Sequence, residues 1–263
     1  MIVYKPVMTK KELKEIQEIV LNNKEEVLIN SPLKRAIITK ENQNLEKAYK
    51  TNKILLQKTN RKIYNIIYSI YSHMNFCTLN NTRSPWISFI KDQETAFKLA
   101  NLKQKEIFSE KSGYVDKTEN RRTKKYQQLF STNKYNQGIY ILNIDESKII
   151  TDLSLMTDKE ILSKLDSGYL IDLGTKENFE YLKERILRDS PASEELMNGM
   201  KKRLINGLIH AYEKNELIAY KEFKTTAKKF KYIDQKKLSS IETLDKEAFK
   251  LSKTSNSKKI KKI

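Results

Sequence analysis

One short segment constrains the fold more than any other: Ser84-Pro85-Trp86-Ile87-Ser88-Phe89, together with the residues that follow it. Residues 86–90 are predicted to form a strand, because they are mostly apolar and rich in aromatic and β-branched side chains. Asp92 is predicted to cap the next helix, in which Ala96, Phe97 and Ala100 fall on one face. A strand that leads directly into a capped helix indicates a fold that mixes the two kinds of element.

The rest of the chain supports an α+β fold. Residues 2–7, 138–144 and 216–220 are predicted strands. Residues 41–73 are predicted to be helical, since five of their apolar side chains recur at helical spacing: Ile63, Ile66, Ile67, Ile70 and Tyr71. The pattern Thr157-Asp-Lys-Glu160 is a capping box that predicts the start of another helix.

Several classes of protein are excluded by what the sequence lacks. A single cysteine, Cys77, excludes an intramolecular disulfide and a cysteine-based zinc cluster, and the two histidines, His73 and His210, are too few for a histidine-rich metal site. We therefore expect no metal. The sequence contains no phosphate-binding Gly-Lys-Ser/Thr loop, no GxGxxG and no nucleophile elbow.

No apolar run has the length of a membrane-spanning helix, and the first residues turn polar at once. We expect a cytoplasmic protein, or one that is exported to a host cell without a visible signal peptide.

The charge is strongly positive, with 51 Lys and Arg against 33 Asp and Glu, a net charge of +18. Such a charge favours acidic partners such as nucleic acid, an anionic membrane surface or a phosphate-bearing cofactor. The alternative is a solvated, lysine-rich surface, since the abundance of Lys, Asn and Ile is typical of AT-rich coding sequences.

The order of the predicted elements carries a resemblance to a known family. An initial strand with a basic residue is followed by a helix, a histidine, the serine strand and its helix, and a strand ending in Ile-Asp. Near the end, a helix runs into a strand that begins with Glu216. This order resembles the ADP-ribosyltransferase-like superfamily over residues 2–235. Residues 84–100 are similar to the serine motif of that family, and residues 211–223 are similar to the strand that carries its catalytic glutamate. The resemblance implies a split β-sandwich in residues 1–235, with an N-terminal helix and an inserted helical segment at 41–73. A basic C-terminal tail would follow at 236–263.

The resemblance also implies a reaction and a set of site residues. NAD would be the substrate, and the protein would be a mono-ADP-ribosyltransferase or an NAD glycohydrolase of the toxin or effector type. Glu216 would stabilise an oxocarbenium-like transition state, and Ser88 would orient its carboxylate. Four residues would contact the cofactor: Lys5, where the family usually has Arg or His, His73, Arg83 and Phe89. Tyr114 is an alternative to Phe89 for stacking on nicotinamide.

Two questions stay open at the level of sequence. Glu213 and Glu222 are rivals of Glu216, and Glu222 would share its strand face by even spacing. The acceptor of ADP-ribose is a protein, a nucleic acid or water. Lys214 stands where an arginine-modifying enzyme is expected to carry Glu, which disfavours arginine as the acceptor.

Two other classes of function compete with this interpretation. The first is a basic nucleic-acid-binding protein or ribonuclease without NAD chemistry. In such a protein, residues 121–126 and 258–262 would bind along the phosphate backbone. In the second, a structural, partner-binding helical protein, the tail would serve as a docking segment.

Overall fold

The computed structural model describes residues 1–7, 26–30, 66–75, 86–101, 138–189, 194–220, 222–238 and 240–256. These residues form a mixed α+β structure, as the sequence predicts. The chain divides into two compact units. The first comprises residues 1–29, 89–148 and 224–263, and the second comprises residues 30–88 and 149–223.

The strands within these residues are β1 (Ile2–Val7), β2 (Glu26–Asn30), β3 (Trp86–Ile90), β4 (Gly138–Asn143), β5 (Ile149–Ile150), β6 (Leu170–Asp172), β7 (Glu216–Tyr220), β8 (Glu222–Thr226) and β9 (Phe230–Asp234). The α-helices are α1 (Ile66–Asn75), α2 (Gln93–Asn101), α3 (Asp158–Asp166), α4 (Lys176–Asp189), α5 (Glu194–Glu213) and α6 (Ile241–Asn256). Short 3-10 turns occupy Glu146–Lys148, Ala227–Lys229 and Gln235–Lys237.

The first unit is built around β1, with strands in the order β3-β1-β4-β9. Strand β1 is antiparallel to β3, with Tyr4 opposite Ile90, and antiparallel to β4, with Lys5 opposite Tyr140. Strand β9 is the last in this order and is antiparallel to β4, with Tyr232 opposite Tyr140. Strand β2 pairs separately with β8.

One chain of hydrogen bonds ties β1 to two helices of this unit. The Tyr4 hydroxyl donates to Oε1 of Gln93 at 2.9 Å, and Nε2 of Gln93 donates to Asp245 at 2.6 Å. Burial, followed by the negative charges of Asp245 and Asp92, raises the pKa of Tyr4 to about 12. Helix α6 lies where the sequence predicts a basic tail, and its Leu244 and Leu251 are buried.

In the second unit the strands lie in the order β5-β6-β7-β3. Only residues 86–88 of β3 belong to this unit. Strand β5 is parallel to β6, and β6 is antiparallel to β7, with Ile171 opposite Ile218. The predicted stripe of α1 is buried in one apolar cluster with Trp86 and Leu208, whereas Ile63 lies outside the described residues.

A buried amide holds the loops of the second unit together. Asn178, fully buried in α4, accepts the backbone N–H of Leu153 at 2.6 Å. Its amide donates to the carbonyls of Asp172, at 2.7 Å, and Ile150, at 3.3 Å. One side chain therefore fixes the ends of β5 and β6 and the loop between β5 and α3.

Local capping signals explain where two helices begin. The carboxylate of Asp92 accepts the N–H of Thr95 at 2.6 Å, at the start of α2. Thr157 and Glu160 form the predicted capping box of α3, with each side chain bonded to the other residue's backbone N–H. Both predictions are confirmed.

Candidate functional site

Ser88 lies in β3 and is almost completely buried, with 1% of its surface exposed. Its Oγ is 2.8 Å from Nε2 of His73, which lies in the last turn of α1 and is also 1% exposed. A hydrogen bond between two buried side chains satisfies polar groups whose burial would otherwise be costly. The structure thus gives His73 a direct partner at the serine strand.

A close helix contact holds His73 at this position. A Cβ at Gly207 of α5 would lie 2.9 Å from the carbonyl oxygen of Met74, the residue that follows His73. Side-chain atoms do not normally approach a backbone so closely, so only glycine permits this distance between α1 and α5. Gly207 therefore helps to determine where the imidazole of His73 lies.

Glu216 is the first residue of β7 and is fully buried. The chain enters this strand through a tight turn after α5, in which Asn215 has a positive φ of 50°. A Cβ at Gly174 would lie 2.8 Å from Cα of Asn215, so the turn packs closely against the segment after β6. The carbonyl of Glu216 accepts the N–H of Leu173 at 2.8 Å. The backbone that carries the carboxylate is therefore fixed from both sides.

Ser88 and Glu216 lie on the same face of two neighbouring strands of the second unit. Ser88 shares a face with Trp86, and Glu216 shares a face with Tyr220, because side chains of a strand alternate with a period of two. The rings of Trp86 and Tyr220 pack at 5.0 Å between centroids, and both belong to the apolar cluster. Because those two rings meet on one face, the side chains of Ser88, His73 and Glu216 belong to that face too.

The hydrogen-bonding capacity of Ser88 limits what this group of side chains can do. A serine hydroxyl donates one hydrogen bond and accepts two. If Nε2 of His73 carries a proton and donates, the serine O–H remains able to donate to a carboxylate. The only Ser88 side-chain hydrogen bond described is the one to His73. The positioning of Glu216 by Ser88 therefore stays a prediction.

The two rival glutamates occupy different surroundings. Glu213 is exposed at the end of α5. Glu222 lies in β8, because β7 ends at Tyr220 and β8 pairs with β2. The expectation that even spacing places Glu222 on the strand face of Glu216 is therefore wrong. Asp172 is buried on β6 but lies opposite Leu217, whose side chain points to the other face from Glu216.

Two of the other predicted site residues, Lys5 and Phe89, belong to the first unit. Lys5 is buried in β1 of the first unit. Phe89 is buried and follows Ser88 directly, so its side chain points to the opposite face of β3. Arg83 and Tyr114 lie outside the described residues.

Sequence reasoning missed the bond between His73 and Ser88, since it predicted a cofactor contact for His73. These residues are 15 positions apart, and their contact depends on how α1 packs. No local pattern in the sequence signals it.

Comparisons with known proteins give no family for the chain: no family model, no curated protein and no solved structure matches it significantly. Within the described part of the chain, no cluster of three or more His, Cys, Asp or Glu residues is arranged to hold a metal ion. None of the helices described combines the length and apolarity that a membrane crossing requires.

Proposed function

We propose that this protein cleaves the bond between nicotinamide and ribose in NAD and transfers ADP-ribose to a macromolecule or to water, using an ADP-ribosyltransferase-like fold. The observation that carries the proposal is the placement of Ser88 and Glu216 on one face of neighbouring strands. This placement agrees with the roles that the family resemblance implies for a strand serine and a strand glutamate.

The chemistry requires a carboxylate at a fixed place. The C1′–N bond breaks and its electron pair leaves with nicotinamide, while positive charge develops on the ribose. A carboxylate stabilises this charge, as in glycosidases. The acceptor then bonds to C1′ and loses a proton. Glu216 is the residue proposed for this role, because its backbone is held by Leu173 and by the tight turn at Asn215.

His73 has a revised role in this proposal. Its hydrogen bond to Ser88 at 2.8 Å supports a positioning function instead of a contact with the pyrophosphate. With Nε2 protonated, His73 fixes the Ser88 hydroxyl so that its proton points toward an acceptor. His73, Ser88 and Glu216 are all buried. Turnover therefore requires that the side chains covering Glu216 move aside, so that NAD can reach its carboxylate.

The test is nicotinamide release from NAD, measured by chromatography with wild-type protein and with Glu216→Gln. We expect the variant to lose about 100-fold or more of the rate, the magnitude typical of removing a charge-stabilising group. Glu213→Gln is the matched control, because it makes the same change three residues away at an exposed position and should keep the wild-type rate. Equal rates for Glu216→Gln and wild type would overturn the assignment. Absence of release with water and with protein and nucleic-acid acceptors would overturn the proposed function.

A further inference from the structure

The positive charge of this protein is unevenly distributed along the chain. Residues 224–253 contain nine lysines and four acidic residues, whereas residues 149–189 contain six basic and nine acidic residues. A general abundance of lysine does not explain this difference, because the second segment is acidic in the same chain. The excess positive charge therefore belongs to particular surfaces, including the β8–β9–α6 part of the first unit.

Strand β9 organises the lysines of this surface. The 3-10 turn before it contains Lys228 and Lys229, and the turn after it contains Lys236 and Lys237. Lys228, Lys236 and Lys237 are exposed. The Asp234 carboxylate accepts the N–H of Lys236 at 2.8 Å, which fixes the second turn. We call these four lysines and β9 the lysine edge.

The lysine edge has the extended shape that a phosphate backbone requires. Strand β9 is the last strand in its order among the described residues. Its two lysine pairs flank the five residues of extended chain in β9, Phe230–Asp234, or roughly 17 Å at 3.3 Å per residue. One strand of duplex DNA places a phosphate about every 3.4 Å along the helix axis, so the edge extends past about five phosphates.

Acidic neighbours reduce the charge of this surface but do not reverse it. Lys231, the second residue of β9, forms a salt bridge with Glu247 at 3.0 Å. Lys229 is close enough to Asp145 to contribute to lowering the pKa of that carboxyl, after the larger effects of the backbone N–H and hydroxyl of Ser147. Asp234 also lies on the edge, and its carboxylate caps the turn.

The surface fits a nucleic acid better than a membrane. An interfacial helix inserts an apolar face into lipid. The apolar residues Leu244 and Leu251 of α6 are already buried, and Phe249 is its one strongly exposed aromatic residue. The ammonium group of Lys253 lies 4.5 Å from the centroid of the Phe249 ring, and a lysine beside an aromatic group is typical of surfaces that contact phosphates and bases.

We propose that the lysine edge binds the phosphate backbone of a nucleic acid. This binding does not depend on NAD chemistry. If the proposed function also holds, the bound nucleic acid becomes the favoured acceptor class for ADP-ribose.

The experiment is fluorescence anisotropy with labelled 20-nucleotide single-stranded DNA, duplex DNA and single-stranded RNA at several salt concentrations. The variant Lys228→Glu/Lys237→Glu reverses one exposed lysine at each end of β9. The matched control, Lys159→Glu/Lys176→Glu, makes the same change in net charge at two exposed lysines of the second unit. We expect the edge variant to lose at least tenfold in affinity. The slope of the logarithm of the binding constant against the logarithm of the salt concentration should become less steep by about 1.4 to 1.8, the value expected for two lost phosphate contacts. We expect the control to change affinity less than threefold.

Equal losses in the two variants would overturn the proposal, because they would show an effect of net charge alone. Wild-type binding to vesicles containing phosphatidylglycerol, without binding to any oligonucleotide, would overturn it in favour of a membrane. Should the edge variant unfold, Lys228→Gln/Lys237→Gln gives the same readout with smaller perturbation. The nicotinamide assay is measured separately, so either proposal can fail alone.

Discussion

Gly207→Ala tests whether the close approach of α1 and α5 is required for the structure around His73. The new Cβ would lie 2.9 Å from the carbonyl oxygen and 3.0 Å from the carbonyl carbon of Met74. Both atoms are backbone atoms of a helix, so they cannot move away as a flexible side chain would. Overpacking of this kind costs about 1 to 3 kcal/mol. Replacing glycine by alanine within a helix returns about 0.5 to 1 kcal/mol. We therefore expect a net loss of about 0 to 2.5 kcal/mol in the free energy of unfolding, centred on about 1 kcal/mol.

The assay is urea unfolding followed by circular dichroism, with Asn206→Ala as the control. Asn206 precedes Gly207 in α5 and is partly exposed, so its replacement gains helix propensity without the close contact. We expect the control to be neutral or slightly more stable than wild type. If Gly207→Ala is as stable as Asn206→Ala, α1 does not pack against α5 as described and the placement of His73 loses its support.

Three further experiments test other parts of the structure. Asn178→Ala removes three buried hydrogen bonds and should lower the free energy of unfolding by about 2 to 4 kcal/mol, measured by urea unfolding. The exposed control is Ser167→Ala. A loss below about 1 kcal/mol for Asn178→Ala, comparable with that of the control, would contradict the role of Asn178. Tyr4→Phe tests the raised pKa of the buried phenol. Because the unfolded phenol ionises near pH 10.0 and the folded one near pH 12, the stability that the phenol contributes is complete below pH 10 and is lost as pH rises toward 12. Wild type should lose more stability than Tyr4→Phe between pH 9 and pH 11, and equal losses would show that the folded pKa is not raised. Finally, ¹⁵N-histidine NMR should show a proton on Nε2 of His73, and His210→Gln assigns the second histidine signal. A proton on Nδ1 alone would contradict the donor role of His73.

The parts of the fold that the sequence predicts correctly depend on short-range chemistry. The Thr157–Glu160 capping box and the Asp92 cap join residues three positions apart, so their spacing is visible in the sequence. Strands β3 and β7 are short apolar runs with β-branched or aromatic side chains, which is the direct signal of a buried strand.

The parts that the sequence does not predict depend on packing between distant elements. The contact of His73 with Ser88 requires α1 to lie close to α5, which Gly207 permits. Even spacing predicts that Glu222 shares the strand face of Glu216, whereas β7 ends at Tyr220 and Glu222 lies in β8. Helix α6 did carry a signal: Leu244, Ala248 and Leu251 have helical spacing, and the two leucines are buried where a tail was expected.

The most direct test of the proposed chemistry separates NAD binding from bond cleavage in Glu216→Gln. A carboxylate that stabilises charge in the transition state contributes little to ground-state binding. We predict that kcat for nicotinamide release falls at least about 100-fold while KM for NAD changes less than about threefold. An unchanged kcat, or a loss confined to KM, would contradict the central claim that Glu216 stabilises the oxocarbenium-like transition state.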